Sequence, residues 1–166
     1  MNKVLTLALA TACSALILAE PLSSQPITVT PEVSHQAFIE KVSEDLDRQL
    51  ERASRFNEPY GNGITIVRFT RDAQGDPENV RLYRKSGKHG LDRVAVRAVK
   101  GLESLDRVPA GALDDQVYQA NIIFATTERN HARLTERLTA EETARLAQGK
   151  DRDVFAFGAA TARPTS

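Results

Sequence analysis

The side chains best suited to chemistry are three histidines, one Ser-Gly pair and one helix-entry aspartate. His35, His89 and His131 would be the ligands of a metal or the carriers of a proton. No two of them stand four apart on a helix and no cysteine supports them, so their spacing gives no zinc site. Ser86 followed by Gly87 invites comparison with a nucleophile elbow, which needs glycine on both sides of the serine after a strand. Lys85 precedes Ser86 here, and the pair reads as a turn in which Gly87 relaxes the backbone. Asp92 has the chemistry of a general base. A carboxylate in the first turn of a helix, however, ordinarily serves the helix dipole and its capping. Gly61-Asn62-Gly63 precedes a strand rather than a helix, which is the wrong order for a phosphate loop. These residue types in this order imply no enzyme, no cofactor and no metal.

Recognition through the backbone is the remaining chemistry. Val117 to Phe124 is a strand-forming run without charge or proline, and these are the devices that normally blunt a sheet edge. Such a strand can accept an extended peptide, with main-chain hydrogen bonds giving affinity and side-chain pockets giving selectivity. Gln116, Val117, Tyr118, Gln119, Ala120, Asn121 and Ile122 are therefore the expected partner-binding positions. A competing expectation is that residues 127–149 cover this edge. Between Arg68 and Arg107 ten basic residues face six acidic ones, so the middle of the chain is locally positive. Arg81 and Tyr83 on one sheet face would suit single-stranded nucleic acid, but no aromatic pair stands on adjacent strands to stack bases. The face reads as solvated. Over the full 166 residues, 22 basic and 22 acidic side chains cancel, so no global charge draws the chain to nucleic acid or anionic membrane.

The elements that position this strand follow from periodicity. Ser34 offers an N-cap, and Phe38, Val42, Leu46, Leu50, Ala53 and Phe56 recur at helical spacing. Glu44 with Arg48 and Glu51 with Arg55 stand at the favourable i,i+4 order. Ile64 to Phe69 is a β-branched and aromatic strand. It ends at a turn through Gly75-Asp76-Pro77, and Val80 to Tyr83 resumes the hairpin. Leu91, Val94, Ala95, Ala98, Leu102 and Leu105 form one apolar helical stripe. The expected fold class is α+β: a two-layer sandwich of a three-stranded antiparallel sheet with two helices on one face. Strand order is second, first, third, leaving strand 117–124 on the outer edge.

The ordered set Phe69, Asp72, Gly75, Val80, Leu82, Ser86-Gly87, Leu91-Asp92, Ala95, Ala98-Val99 and Val108-Pro109 resembles the C-terminal domain of the TonB/TolA proteins. The resemblance runs roughly from Ser34 to Phe124. It implies a periplasmic three-stranded module that docks an extended segment of an envelope partner, either an outer-membrane receptor or a periplasmic protein. It also implies an alternative, a membrane-anchored energy transducer for outer-membrane transport. A third class is a structural domain whose edge is self-capped or dimerised.

Lys3 followed by an apolar run from Val4 to Ala19 reads as a secretory signal peptide at 1–19, with cleavage after Ala19. As a helix the run would span roughly 24 Å against about 30 Å of hydrocarbon. Export to the periplasm is the expectation; an inner-membrane anchor is the alternative, and only that form would contact the membrane. Cys13 lies inside the apolar run, so the mature chain would hold no cysteine and no disulfide. Residues 20–33, with Pro21, Pro26 and Pro31, read as an extended linker, and 34–126 as the TonB/TolA-like domain. At 127–149 Thr139-Ala140-Glu141-Glu142 reads as a capping box opening a short helix closed by Gly149. Residues 150–166 read as a mobile tail.

Overall fold

A computed structural model describes residues 34–55, 60–109, 111–149 and 153–162. The expected signal peptide, the linker and Phe56 lie outside the described residues. Helix α1 (His35–Ser54) starts where the sequence places its cap: the Ser34 hydroxyl accepts from the Ala37 amide at 3.1 Å. Phe38, Val42, Leu46, Leu50 and Ala53 are all buried along its inner face. The expected ion-pair order is altered, because Arg48 turns to Asp45 at 3.1 Å rather than to Glu44. Strands β1 (Gly63–Arg71) and β2 (Pro77–Arg84) form the antiparallel hairpin. Its turn is held by the Asp72 carboxylate, which accepts from the amides of Gln74 and Asp76 at 3.0 and 2.8 Å. Helix α2 (His89–Lys100) buries Leu91, Val94, Ala95, Ala98 and Val99, and it ends before Leu102 and Leu105, which are buried from the following loop rather than on the expected helical stripe. Strand β3 (Val117–Phe124) then pairs antiparallel with β1.

Beyond β3 the fold departs from the expected three strands. Helix α3 (Glu128–Ala147) carries the chain back, and β4 (Val154–Ala162) pairs with β3 in parallel. The sheet is four-stranded and mixed, in the order β2-β1-β3-β4. The class is α+β, but the two-layer, three-stranded, all-antiparallel form with two helices is corrected to four strands and three helices. Parallel pairing explains the change: it requires a long crossover, and α3 is that crossover.

Strand alternation divides the packing between two faces. Val67, Phe69, Tyr118, Ala120, Ile122 and Phe124 join α1 and α2 in the main core, with Phe157 from β4. On the opposite face Ile64, Ile66 and Ile123 meet Leu134 and Leu138 of α3 in a smaller cluster. The long loop after α2 is tied to α1 by the buried Asp45 carboxylate. Its Oδ2 accepts from the amides of Glu103 and Ser104 at 2.7 and 3.0 Å.

Candidate docking edge

Gln116 to Ile122 do not form an edge. On one side β3 is laddered to β1, with Tyr118 opposite Phe69, Ala120 opposite Val67 and Ile122 opposite Thr65. On the other side Val117 faces Val154, Tyr118 faces Phe155, Gln119 faces Ala156 and Ala120 faces Phe157. The Gln116 amide nitrogen donates to the Asp153 carbonyl at the entrance to β4. The expectation that strand 117–124 is outermost is thus corrected. The lane beside it does take up an extended, uncharged segment, and that segment is the chain's own residues 154–162. Coverage comes from β4, which the mobile-tail reading of 150–166 did not foresee. Residues 127–149 supply the crossover on the sheet face instead.

β4 is anchored at its aromatic residues. The Phe155 ring meets Phe38 edge-on at 5.4 Å between centroids, and lies 6.0 Å from Tyr118 and 5.3 Å from His35. Phe157 meets Phe69 edge-on at 6.1 Å. Between Ala120 and Ile122 the ladder slips, and Gly158 takes up the extra length with φ at 82°. A Cβ there would lie 2.8 Å from the Asn121 carbonyl oxygen, so this bulge needs glycine for both space and backbone.

Among the described residues β4 has no second ladder neighbour. Its sequence, Val154-Phe155-Ala156-Phe157-Gly158-Ala159-Ala160-Thr161-Ala162, contains neither charge nor proline. The opposite edge differs. β2 carries Glu78, Arg81 and Arg84, places Asn79 at φ 52°, and is broken by two register shifts against β1. Charge and bulges are the features that keep an edge from pairing, so β2 is protected, whereas β4 carries no charge and has an unpaired outer side among the described residues.

The face of the sheet under the C-terminal half of α3 is polar. Buried Arg68 donates to Gln119 at 2.9 Å, with its guanidinium 3.4 Å from the centre of the Tyr83 ring. Gln119 donates in turn to Asn121 and to Glu142, both at 3.0 Å. Arg84 on β2 pairs with Glu141 of α3. Arg81 and Tyr83, expected on a solvated face, are both exposed, while α3 covers the neighbouring stretch at Gln119 and Arg84. Gln119 thus ties α3 to the sheet through Glu142, and Asn121 accepts from Gln119 within β3.

The other chemical candidates take structural positions. Asp92 Oδ1 accepts from the Ser86 amide and hydroxyl, each at 2.8 Å, and from Thr65 Oγ1 at 3.1 Å, clasping the Ser-Gly corner to α2 and β1. No group of three His, Cys, Asp or Glu side chains able to hold a metal occurs among the described residues. No helix among them is long and apolar enough to cross a membrane. Comparison with protein-family models, with curated proteins and with solved structures finds no match to this chain.

Proposed function

We propose that this chain is a protein-interaction module of the cell envelope that holds an extended segment of a partner by strand addition, and that the segment adds to the outer side of β4. The observation that carries this reading is the sheet edge formed by Val154–Ala162, open among the described residues and free of charge and proline. Strand addition uses backbone groups the edge already presents, and alternate side chains of the added strand supply selectivity. Support also comes from β3, whose outer lane holds an uncharged segment of just this kind. Gln116 to Ile122 then act from one strand further in, by fixing β4. The export signal read at 1–19 and the resemblance of Phe69 to Pro109 to TonB/TolA domains favour an envelope partner.

Site-specific photocrosslinking in the envelope of the producing cell tests this. A crosslinker at Ala156 should give an adduct with an extended partner segment, identified by mass spectrometry, and one at exposed Ala140 on α3 should not. Placing a charge on the edge with Ala159→Lys should abolish the adduct without changing the melting transition. An Ala156 adduct that persists in the Lys variant, or none at all, would defeat the reading.

A further inference from the structure

A second surface lies at the opposite end of the sheet and does not depend on the β4 edge. Between β2 and α2 is an open groove of about 460 Å³. Its floor is apolar: Leu82 and Val96 are half-buried and pack against the main core. Its wall is cationic, formed by Arg93, Arg97 and Lys100, all exposed on one side of α2. Among the described residues none of these three has a carboxylate in ion-pair distance. The acid in the groove, Asp92, is engaged by Ser86 and Thr65. Three exposed cations on one helix side with apolar surface at their feet are complementary to a ligand that is both anionic and partly aliphatic.

Spacing narrows the ligand. Arg93 and Arg97 are four residues apart, about 6 Å along the helix axis, and Lys100 extends the row to about 10 Å. A single phosphate or carboxylate cannot meet charges spread over that length. An extended peptide places alternate side chains on one side at about 6.6 Å, which matches the Arg93 to Arg97 step. Glutamates fit better than a bare anion, because their methylene stems can cover Leu82 and Val96 while the carboxylates reach the wall. The groove lining contains no Phe, Tyr or Trp, and its one aromatic ring, His89, gives no row of platforms for successive nucleobases. Because β2 is bulged, contact would run through side chains rather than through a continuous ladder.

We propose that the α2–β2 groove docks an extended acidic segment of a partner protein, with glutamates on alternate residues engaging Arg93 and Arg97. The probe is a fluorescein-labelled Ser-Glu-Ser-Glu-Ser-Glu-Ser peptide, titrated with the full chain and followed by anisotropy and by amide chemical shifts. Binding should shift the amides of α2 and β2, weaken with salt, and weaken by about tenfold or more in Arg97→Glu and in Arg93→Glu. Both side chains are exposed, so each variant should melt with the wild type. The proposal is overturned if the glutamate peptide does not bind, if its glutamine counterpart binds equally, or if neither reversal changes the affinity. Tighter binding to single-stranded DNA or to anionic vesicles than to the peptide would also overturn it, by marking a general polyanion surface.

Discussion

The Tyr118 hydroxyl is buried beneath the aromatic cluster, and no hydrogen bond of normal geometry reaches it among the described residues. Burial raises its pKa from the ordinary phenol value, and Arg71 works in the opposite direction through its charge and through a weak side-chain hydrogen-bonding contact. Desolvating a polar group that gains no partner costs roughly 1–3 kcal/mol. Tyr118→Phe keeps the ring stacked on Phe69 at 5.5 Å and removes only the oxygen. The variant should therefore be more stable by about 1 kcal/mol at neutral pH, measured by chemical denaturation. The alkaline limb follows from the sign of the shift. A phenol that the fold holds protonated contributes stability fully present below its unfolded pKa of about 10. That contribution is lost as pH rises through the folded value, because the unfolded chain ionises first. Loss of stability above pH 10 should accordingly be shallower in the Phe variant. A destabilised variant would mean that the contact with Arg71 outweighs the desolvation of the hydroxyl. Asp45 shows the limit of reading single residues. Its sequence neighbours are charged and it reads as part of a solvated helix face, yet it is buried and accepts two loop amides. The need for those hydrogen bonds arises 58 and 59 residues away, where no local pattern signals it.

At the scale of elements, the first five were legible because their signals are local. The α1 stripe, the hairpin turn and the α2 stripe each repeat at the period of the structure they form, and β3 spans Val117–Phe124 as its β-branched run implies. α3 was legible only in part. Thr139 looks like a cap, but the cap is Thr127, whose hydroxyl accepts from the Asn130 amide at 3.2 Å. Thr139 lies in mid-helix, where its carbonyl accepts from the Thr143 hydroxyl. Only Leu134 and Leu138 of α3 are buried, so its apolar stripe is too sparse to mark its start. β4 was missed because alanine and glycine carry little strand propensity and parallel pairing leaves no hairpin signal. Its Gly158 supplies the test. Gly158→Ala meets both a positive φ and a 2.8 Å approach to the Asn121 carbonyl, whereas Gly87→Ala meets a φ of 87° and open space. Backbone strain alone costs about 1–2 kcal/mol, so Gly87→Ala should lose about that much. Gly158→Ala should lose more, and hydrogen exchange should quicken in β4 and in the outer ladder of β3. Equal losses at the two sites would contradict the close packing of β4 on Asn121.

For the whole molecule, the central question is what β3 does when β4 is absent. Ending the chain after Gly149 removes β4 and with it Phe157, whose ring fills the main core. Truncating a buried phenylalanine typically costs about 3–5 kcal/mol, against about 5–15 kcal/mol for a whole domain. The shortened chain should therefore be weakened without being abolished, since α1, α2 and the β2-β1-β3 ladders remain. Its β3 would then be the outer strand that the sequence suggests, uncharged and proline-free, and such an edge pairs with whatever strand it meets. Sedimentation should show stronger concentration-dependent self-association of the shortened chain than of the full chain, because β3 offers more β-branched and aromatic edge surface than the alanine- and glycine-rich β4. A synthetic peptide covering residues 153–162 should reverse the association and raise the melting temperature, because it restores the ladder from Val117 to Phe124 and returns Phe155 and Phe157 to their aromatic neighbours. The same peptide with proline at position 156 serves as the control for backbone pairing. A shortened chain that remains monomeric, or one that ignores the peptide, would show that the lane beside β3 accepts a strand only when α3 delivers it covalently.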